Sequence, residues 1–149
     1  MTAAGLVLRA ARPEDAAGCA AILNDWIDAT DWMPRVHPPQ DVVRHYRETV
    51  LPQQQVTVAD DGGVSGFIAV DPPGFVTALY VAAAAQRRGL GRLLLGQAKA
   101  GATRLTLWTF QANFSARAFY AAAGFAETRR TDGDNEEGLA DILLEWSAR

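Results

Sequence analysis

Residues 79–101, LYVAAAAQRRGLGRLLLGQAKAG, constrain this chain more than any other stretch. They read as a strand end (Leu79, Tyr80, Val81), a connector of small residues, a basic turn containing Gly89 and Gly91, and an amphipathic helix. The turn from Gln86 through Arg87, Arg88, Gly89, Leu90 and Gly91 to Arg92 sets several backbone N–H groups at the start of that helix. Four amides lack intrahelical partners at such a place and the macrodipole is positive, so it suits an anion. Gly89 and Gly91 remove the side chains that would hold a phosphate off the main chain, and both permit positive φ. Arg87, Arg88 and Arg92 add positive charge around the rim. Two familiar nucleotide motifs do not fit: G-x-x-x-x-G-K-[ST] is missing, and position 94 is Leu where G-x-G-x-x-G requires its third glycine. From the residues alone the turn is either a diphosphate cradle of another type or a tight strand-to-helix connection.

The rest of the chain alternates between the two periods. Residues 6–10 are β-rich and stop at Arg12 and Pro13. Pro13, followed by Glu14 and Asp15, opens a helix whose apolar set, Cys19, Ile22, Leu23, Trp26 and Ile27, falls on one face. Residues 30–39 include the prolines Pro34, Pro38 and Pro39 and read as an ordered loop. A second helix is expected over residues 40–51, with Val43, Tyr46 and Val50 along one side. Two strands, 55–59 and 64–70, are joined by a hairpin turn of Asp60, Asp61, Gly62 and Gly63. A second turn, residues 71–74, leads into a strand over 75–81. After the cradle helix come a fifth strand (104–110), a helix capped by Asn113 or Ser115 and ended by Gly124, a sixth strand (125–130), an acidic loop (131–138) and a seventh strand (141–147). The acidic loop lacks the spacing of a calcium loop, and no metal is expected.

At 149 residues, about half of them apolar, the chain is expected to form one domain spanning residues 1–149. A formal net charge of −3 argues against nucleic-acid binding, which needs a basic footprint, and accords with an amine-bearing substrate. The single cysteine, Cys19, lies in an apolar helical pattern and reads as a buried thiol of a reducing compartment. No run is long and apolar enough for a membrane span, and Met1 through Gly5 lack a signal-peptide layout, so a cytoplasmic protein without membrane association is expected.

Gln86, Gly89 and Gly91 match the fixed positions of [QR]-x-x-G-x-[GA], and Asn113, Ala116, Phe119, Tyr120, Gly124 and Phe125 match N-x-x-[AS]-x-x-[FL]-Y-x-x-x-G-F. With this separation and element order, the chain resembles the GNAT superfamily of N-acetyltransferases over nearly its whole length. The resemblance implies a mixed α/β (α+β) fold: a mostly antiparallel sheet of about seven strands flanked by four helices, the fourth and fifth strands splayed apart. It also implies acetyl-CoA as co-substrate, its pyrophosphate on the amides of residues 86–92 and its pantetheine arm in the cleft between residues 77–81 and 105–108, with Leu79, Tyr80, Val81, Ser115 and Tyr120 beside it; Asn113 either bonds the cofactor or only caps the helix. A backbone N–H near Tyr80 or Val81 would polarise the thioester carbonyl.

The activity implied is transfer of acetyl to a primary amine, small-molecule or peptide, by direct attack in a ternary complex. Tyr120 is the expected general acid for the coenzyme A thiolate, since a phenol is protonated at neutral pH, although Phe119 and Tyr120 also suit a core. Many family members carry a base Glu on the fourth strand. None stands between Gly74 and Tyr80 here, and Asp71 is the nearest acid in sequence. A non-catalytic acyl-CoA sensor is therefore the alternative. The loop that walls the acceptor side in this family offers Trp32 as an apolar or cation-binding face, Arg35 as a carboxylate clamp and His37 as a titratable imidazole. Family members often dimerise, and a homodimer is an expectation for this chain.

Overall fold

The computed structural model describes residues 5–148; residues 1–4, part of the segment read for a signal peptide, lie outside them. The strands are β1 (Val7–Ala10), β2 (Gln55–Asp60), β3 (Val64–Asp71), β4 (Phe75–Val81), β5 (Arg104–Phe110), β6 (Ala126–Thr131) and β7 (Asp141–Ser147). They form one sheet of order β1-β2-β3-β4-β5-β7-β6, antiparallel at every junction except β4 with β5. Four helical bodies flank it. The first is α1 (Ala16–Ala29), entered through a 3-10 turn at Pro13–Asp15. The second runs without a break from α2 (Pro39–His45) through a π-helical turn (Tyr46–Val50) into α3 (Leu51–Gln53). The others are α4 (Leu90–Ala100) and α5 (Phe114–Ala122).

The second helix thus continues two residues past the expected Leu51. Its wide turn ends at Val50, two residues before Pro52, whose ring has no N–H to donate and would crowd the carbonyl four residues back. Its buried stripe is Val42, Tyr46 and Val50, with Val43 only half-buried against the core, so the apolar face differs by one position from the expected set.

Apolar alternation places one cluster on each face of the sheet. Cys19, Ala20 and Ile22 of α1 pack with Tyr46, Val58, Phe67 and Ala78 on one face. Leu90, Leu94 and Leu95 of α4 pack with Ile68, Leu105, Leu107 and Ile142 on the other. Burying one such side chain is worth about 1.5–3 kcal/mol, so these two faces hold the helices in place. β3 is buried on both faces and forms the fixed wall against which β4 pairs along its length.

Candidate active site

β4 and β5 share a single register pair, Phe75 with Thr106, beside which the Thr106 N–H donates to the Gly74 carbonyl at 2.9 Å. Beyond that junction β4 stays with β3 and β5 stays with β7, so the two strands splay as expected. The edge of β4 that faces β5 is left with main-chain groups that no strand pairs, an arrangement that costs about 1–3 kcal/mol per buried group unless something else bonds them. The splay forms a cavity of about 100 Å³ lined by Leu79, Tyr80, Leu107, Phe110, Asn113 and Tyr120 among others. A second cavity of about 280 Å³ shares Leu79, Tyr80, Asn113 and Tyr120 with it and extends to Val81, Gln86, Gly91 and Ser115. The two form one groove from the strand gap to the mouth of α4.

At that mouth Arg87 (φ 67°) and Gly89 (φ 77°) are both left-handed, one on either side of Arg88, which is the backbone geometry of a concave anion site. The Leu93 N–H finds the Gly89 carbonyl at 3.0 Å, and the amides of Leu90, Gly91 and Arg92 precede it without a helical partner. A Cβ on Gly89 would meet nothing within 4 Å, so that glycine is required by its backbone angle; one on Gly91 would meet Phe119 Cζ at 3.4 Å, a tight contact between α4 and α5. Leu90 is buried and anchors the turn. Gln86 Nε2 donates to the Val81 carbonyl at 3.3 Å, closing the connector on itself. Arg88 turns away from the mouth, donating to the Ala84 carbonyl and lying 3.8 Å from Asp61, whereas Arg87 and Arg92 are exposed with no ion pair among the described residues.

Tyr120 is buried edge-on between Phe119 and Phe125, with ring centroids 5.2 and 5.3 Å away. Burial pushes its phenol above the ordinary range, with Tyr80 adding to the effect, so it is protonated at neutral pH. The hydroxyl has no hydrogen bond among the described residues, and no fully buried side-chain oxygen or nitrogen lacks a partner; its oxygen therefore opens into the groove. Tyr80 packs against Trp26 (5.4 Å) and Phe67 (6.0 Å), and its phenol is pushed up to about 12 by burial and then by the negative charge of Glu137. Asn113 caps α5: its Oδ1 accepts the Ala116 N–H at 3.1 Å and the Ser115 hydroxyl at 3.3 Å, while the side chain also lines both cavities.

The loop after α1 crosses the far end of the groove. Trp32 sits edge-on to Trp26 and to Phe110, both at 5.8 Å, and forms one aromatic cluster with these two residues of the groove. Arg35 is absorbed into the loop's own scaffold, donating to Asp28 Oδ1 (2.8 Å), Asn24 Oδ1 (3.0 Å) and the His37 carbonyl (3.0 Å). His37 Nε2 lies 3.1 Å from the Glu136 carboxylate and so ties this loop to the one between β6 and β7. Of the three residues expected on the acceptor side, none lines either of these cavities: Trp32 packs against Trp26 and Phe110, and Arg35 and His37 brace the loops. Asp71 pairs with Phe75, five residues of strand below Tyr80, on the order of 17 Å from the phenols.

Residues 52–127 match the family model described as Acetyltransferase (GNAT) domain. The chain belongs to the GNAT acetyltransferase family. It is 32% identical over 109 residues to the peptidyl-lysine N-acetyltransferase YiaC of Escherichia coli, covering 70% of this chain and 75% of that one. Among solved structures, apo-form YjaB from Escherichia coli superposes with a TM-score of 0.77 at 24% identity, over 97% of this chain and 99% of that one. YncA of Salmonella typhimurium, whose structure holds its cofactor acetyl-CoA, superposes with a TM-score of 0.73 at 21% identity, over 95% and 93%.

Two residues of this GNAT domain's groove and one of the cavity beside it, Glu137, were not expected there. Trp26 and Phe110 carried only an apolar-face and a strand pattern, and Glu137 stood among five acidic or amide side chains of a loop with no spacing to single it out. Among the described residues, no helix of the acetyltransferase domain is long and apolar enough to cross a membrane.

Proposed function

We propose that the chain transfers the acetyl group of acetyl-CoA to a primary amine by direct attack in a ternary complex, with Tyr120 as the general acid. The observation that carries this reading is that the strand gap and the amide-lined mouth of α4 meet at one buried, protonated phenol. The mouth suits a diphosphate: Gly89 leaves open space where a Cβ would stand, and the turn's left-handed residues gather its N–H groups. Gln86, Arg87, Arg88, Gly89, Leu90, Gly91 and Arg92 would hold that end, and Leu79, Tyr80, Val81, Asn113 and Ser115 the amide-bearing arm. The co-substrate supplies an activated acyl carbon and a thiolate leaving group.

In the reaction the amine nitrogen bonds to the acetyl carbon as the C–S bond breaks, and the sulfur takes the Tyr120 proton. Of the two protons shed by the original ammonium, one restores the phenol and one leaves to solvent. The raised pKa keeps Tyr120 a donor throughout the neutral range. The named activity of YiaC, on peptidyl lysine, supports an amine acceptor in general. Tyr120→Phe, which preserves the ring contacts with Phe119 and Phe125, should lower kcat by about 10²-fold with acetyl-CoA affinity unchanged. Unaltered turnover would remove the general-acid role. Tight cofactor binding with thiol release no faster than buffer across an amine panel would favour the sensor reading instead.

A further inference from the structure

A third cavity, of about 430 Å³, shares Trp108, Thr109 and Phe110 with the groove and is closed on its far side by β6 and the loop leading to β7. Its volume falls within the range of small-molecule sites. The charges on its wall are Arg129 of β6 and, from the loop and the start of β7, Asp134, Glu137 and Asp141. Asp141 is buried and engaged with Thr131 and Asn135. Arg129, Asp134 and Glu137 differ: among the described residues none has an opposite charge within 4.0 Å. Their neighbours do pair, Glu136 with His37 at 3.1 Å and Arg130 with Glu127 at 2.9 Å. The Arg129 guanidinium lies 5.9 Å from the centre of the Trp108 ring, a cation–π contact that uses the ring's face and not the N–H fork. Glu137 lines this cavity, and its negative charge acts on the Tyr80 phenol of the groove. Opposite charges that line one cavity without closing on each other suit a ligand that carries both.

We propose that this cavity receives the acceptor, and that the acceptor is a small primary amine bearing a carboxylate, with the carboxylate on the Arg129 fork and the ammonium toward Glu137 and Asp134. Trp108 and Phe110 offer apolar faces to the rest of the molecule. The inference rests on the acetyltransferase reading above and narrows its substrate. A lysine within a polypeptide carries no free carboxylate close to its amine and leaves Arg129 without a partner.

The test is coenzyme A release from acetyl-CoA with each protein α-amino acid, with the matched amine lacking the carboxylate, and with a lysine peptide blocked at both ends. At least one amino acid should exceed its matched amine in kcat/KM by about 10- to 100-fold, the worth of a charge-assisted fork. Arg129→Gln should remove most of that ratio through KM rather than kcat, Arg129→Lys should fall between, and Arg130→Gln should leave the ratio as it is. Equal or better use of the decarboxylated amines or of the blocked peptide overturns the proposal, as does a ratio that survives Arg129→Gln. If no amine releases coenzyme A, the acetyltransferase reading fails on its own, and calorimetry of the amino acids against the protein decides this cavity: binding that depends on Arg129 upholds it, and no binding overturns it.

Discussion

The junction that starts the splay is a single point of contact, and Gly74 makes it possible. A Cβ built there would lie 2.2 Å from the Arg104 carbonyl oxygen, with Arg104 C at 3.4 Å and Leu105 Cα at 3.8 Å. All three are backbone atoms of the facing strand, so no side chain can swing aside. Gly74→Ala must therefore push β4 and β5 apart where they meet. Overpacking of this kind costs about 1–3 kcal/mol. Separation also loses the 2.9 Å bond from Thr106 N–H to the Gly74 carbonyl, worth about 1 kcal/mol net. The sum, about 3 kcal/mol, is a large share of a typical domain's stability of about 5–15 kcal/mol. At about 3 °C per kcal/mol for a chain of this size, Tm should fall by about 9 °C. Thermal and urea melts of wild type and variant measure this directly. Because the same junction sets the angle at which β5 leaves β4, acetyl-CoA affinity measured by calorimetry should fall as well. A melting curve within 2 °C of wild type, which is below the fall expected from about 1 kcal/mol, would refute the claim that the backbones are in closest approach at this glycine.

Two further outcomes are expected. Arg87→Gln should weaken acetyl-CoA binding and leave the residual affinity less sensitive to salt, since the amides of the α4 mouth remain while a screened charge is gone, and Arg88→Gln, whose side chain meets Ala84 and Asp61, should change it less; an unchanged affinity in both would reduce the two arginines to surface charge. Asp15 is buried and held below the usual carboxylate range by Arg9, which donates to it at 2.7 and 3.0 Å, against the opposing effect of burial, while Asp60 is lowered first by the Gly62 N–H and then by Arg9. A depressed folded pKa contributes stability that is fully present above the unfolded value of about 3.9 and is lost as pH falls through the folded one. Asp15→Asn should therefore lower the urea midpoint at pH 7 and shrink its drop between pH 5 and pH 3, and an equal drop in both proteins would sink the assignment.

What the chain discloses in its sequence is what local physics writes there. The alternation of residues 104–110 and 141–147 fixes strands because each buries one face, and Leu105, Leu107, Ile142 and Leu144 are indeed buried. The Asn113 cap and the left-handed Gly89 and Gly124 are local devices, legible as such. The phase of the second helix was not: its buried stripe runs in four-residue steps, Val42, Tyr46 and Val50, and Val42 and Val43 are the same residue type side by side, so local sequence does not choose between them. Arg35 illustrates a different limit. Its type suits a substrate carboxylate, but the partner it meets is Asp28, seven residues earlier on α1, and only the path of the loop brings the two together.

The missing strand carboxylate is the case where sequence position and spatial position part most clearly. A base on β4 would be recognisable by spacing alone, because alternation assigns each strand residue to a face. A carboxylate supplied by the loop before β7 has no such index: Glu137 stands in an acidic run, and what separates it from Glu136 is that His37 reaches across to Glu136 while Glu137 faces the cavity beside β5. That latch also joins the two loops which cover the splayed end, so the aromatic cluster of Trp26, Trp32 and Phe110 and the charged wall of Arg129 and Glu137 are held by one frame. In this family member the acidic groups of the cavity beside β5 are thus set by tertiary contact between loops, while the mouth of α4 is set by the angles of the turn at Arg87 and Gly89. The first can change with the loops while the second stays fixed by the strand-to-helix turn, which is why the turn at Gly89 is legible in local sequence and the partners of Glu136 and Glu137 are not.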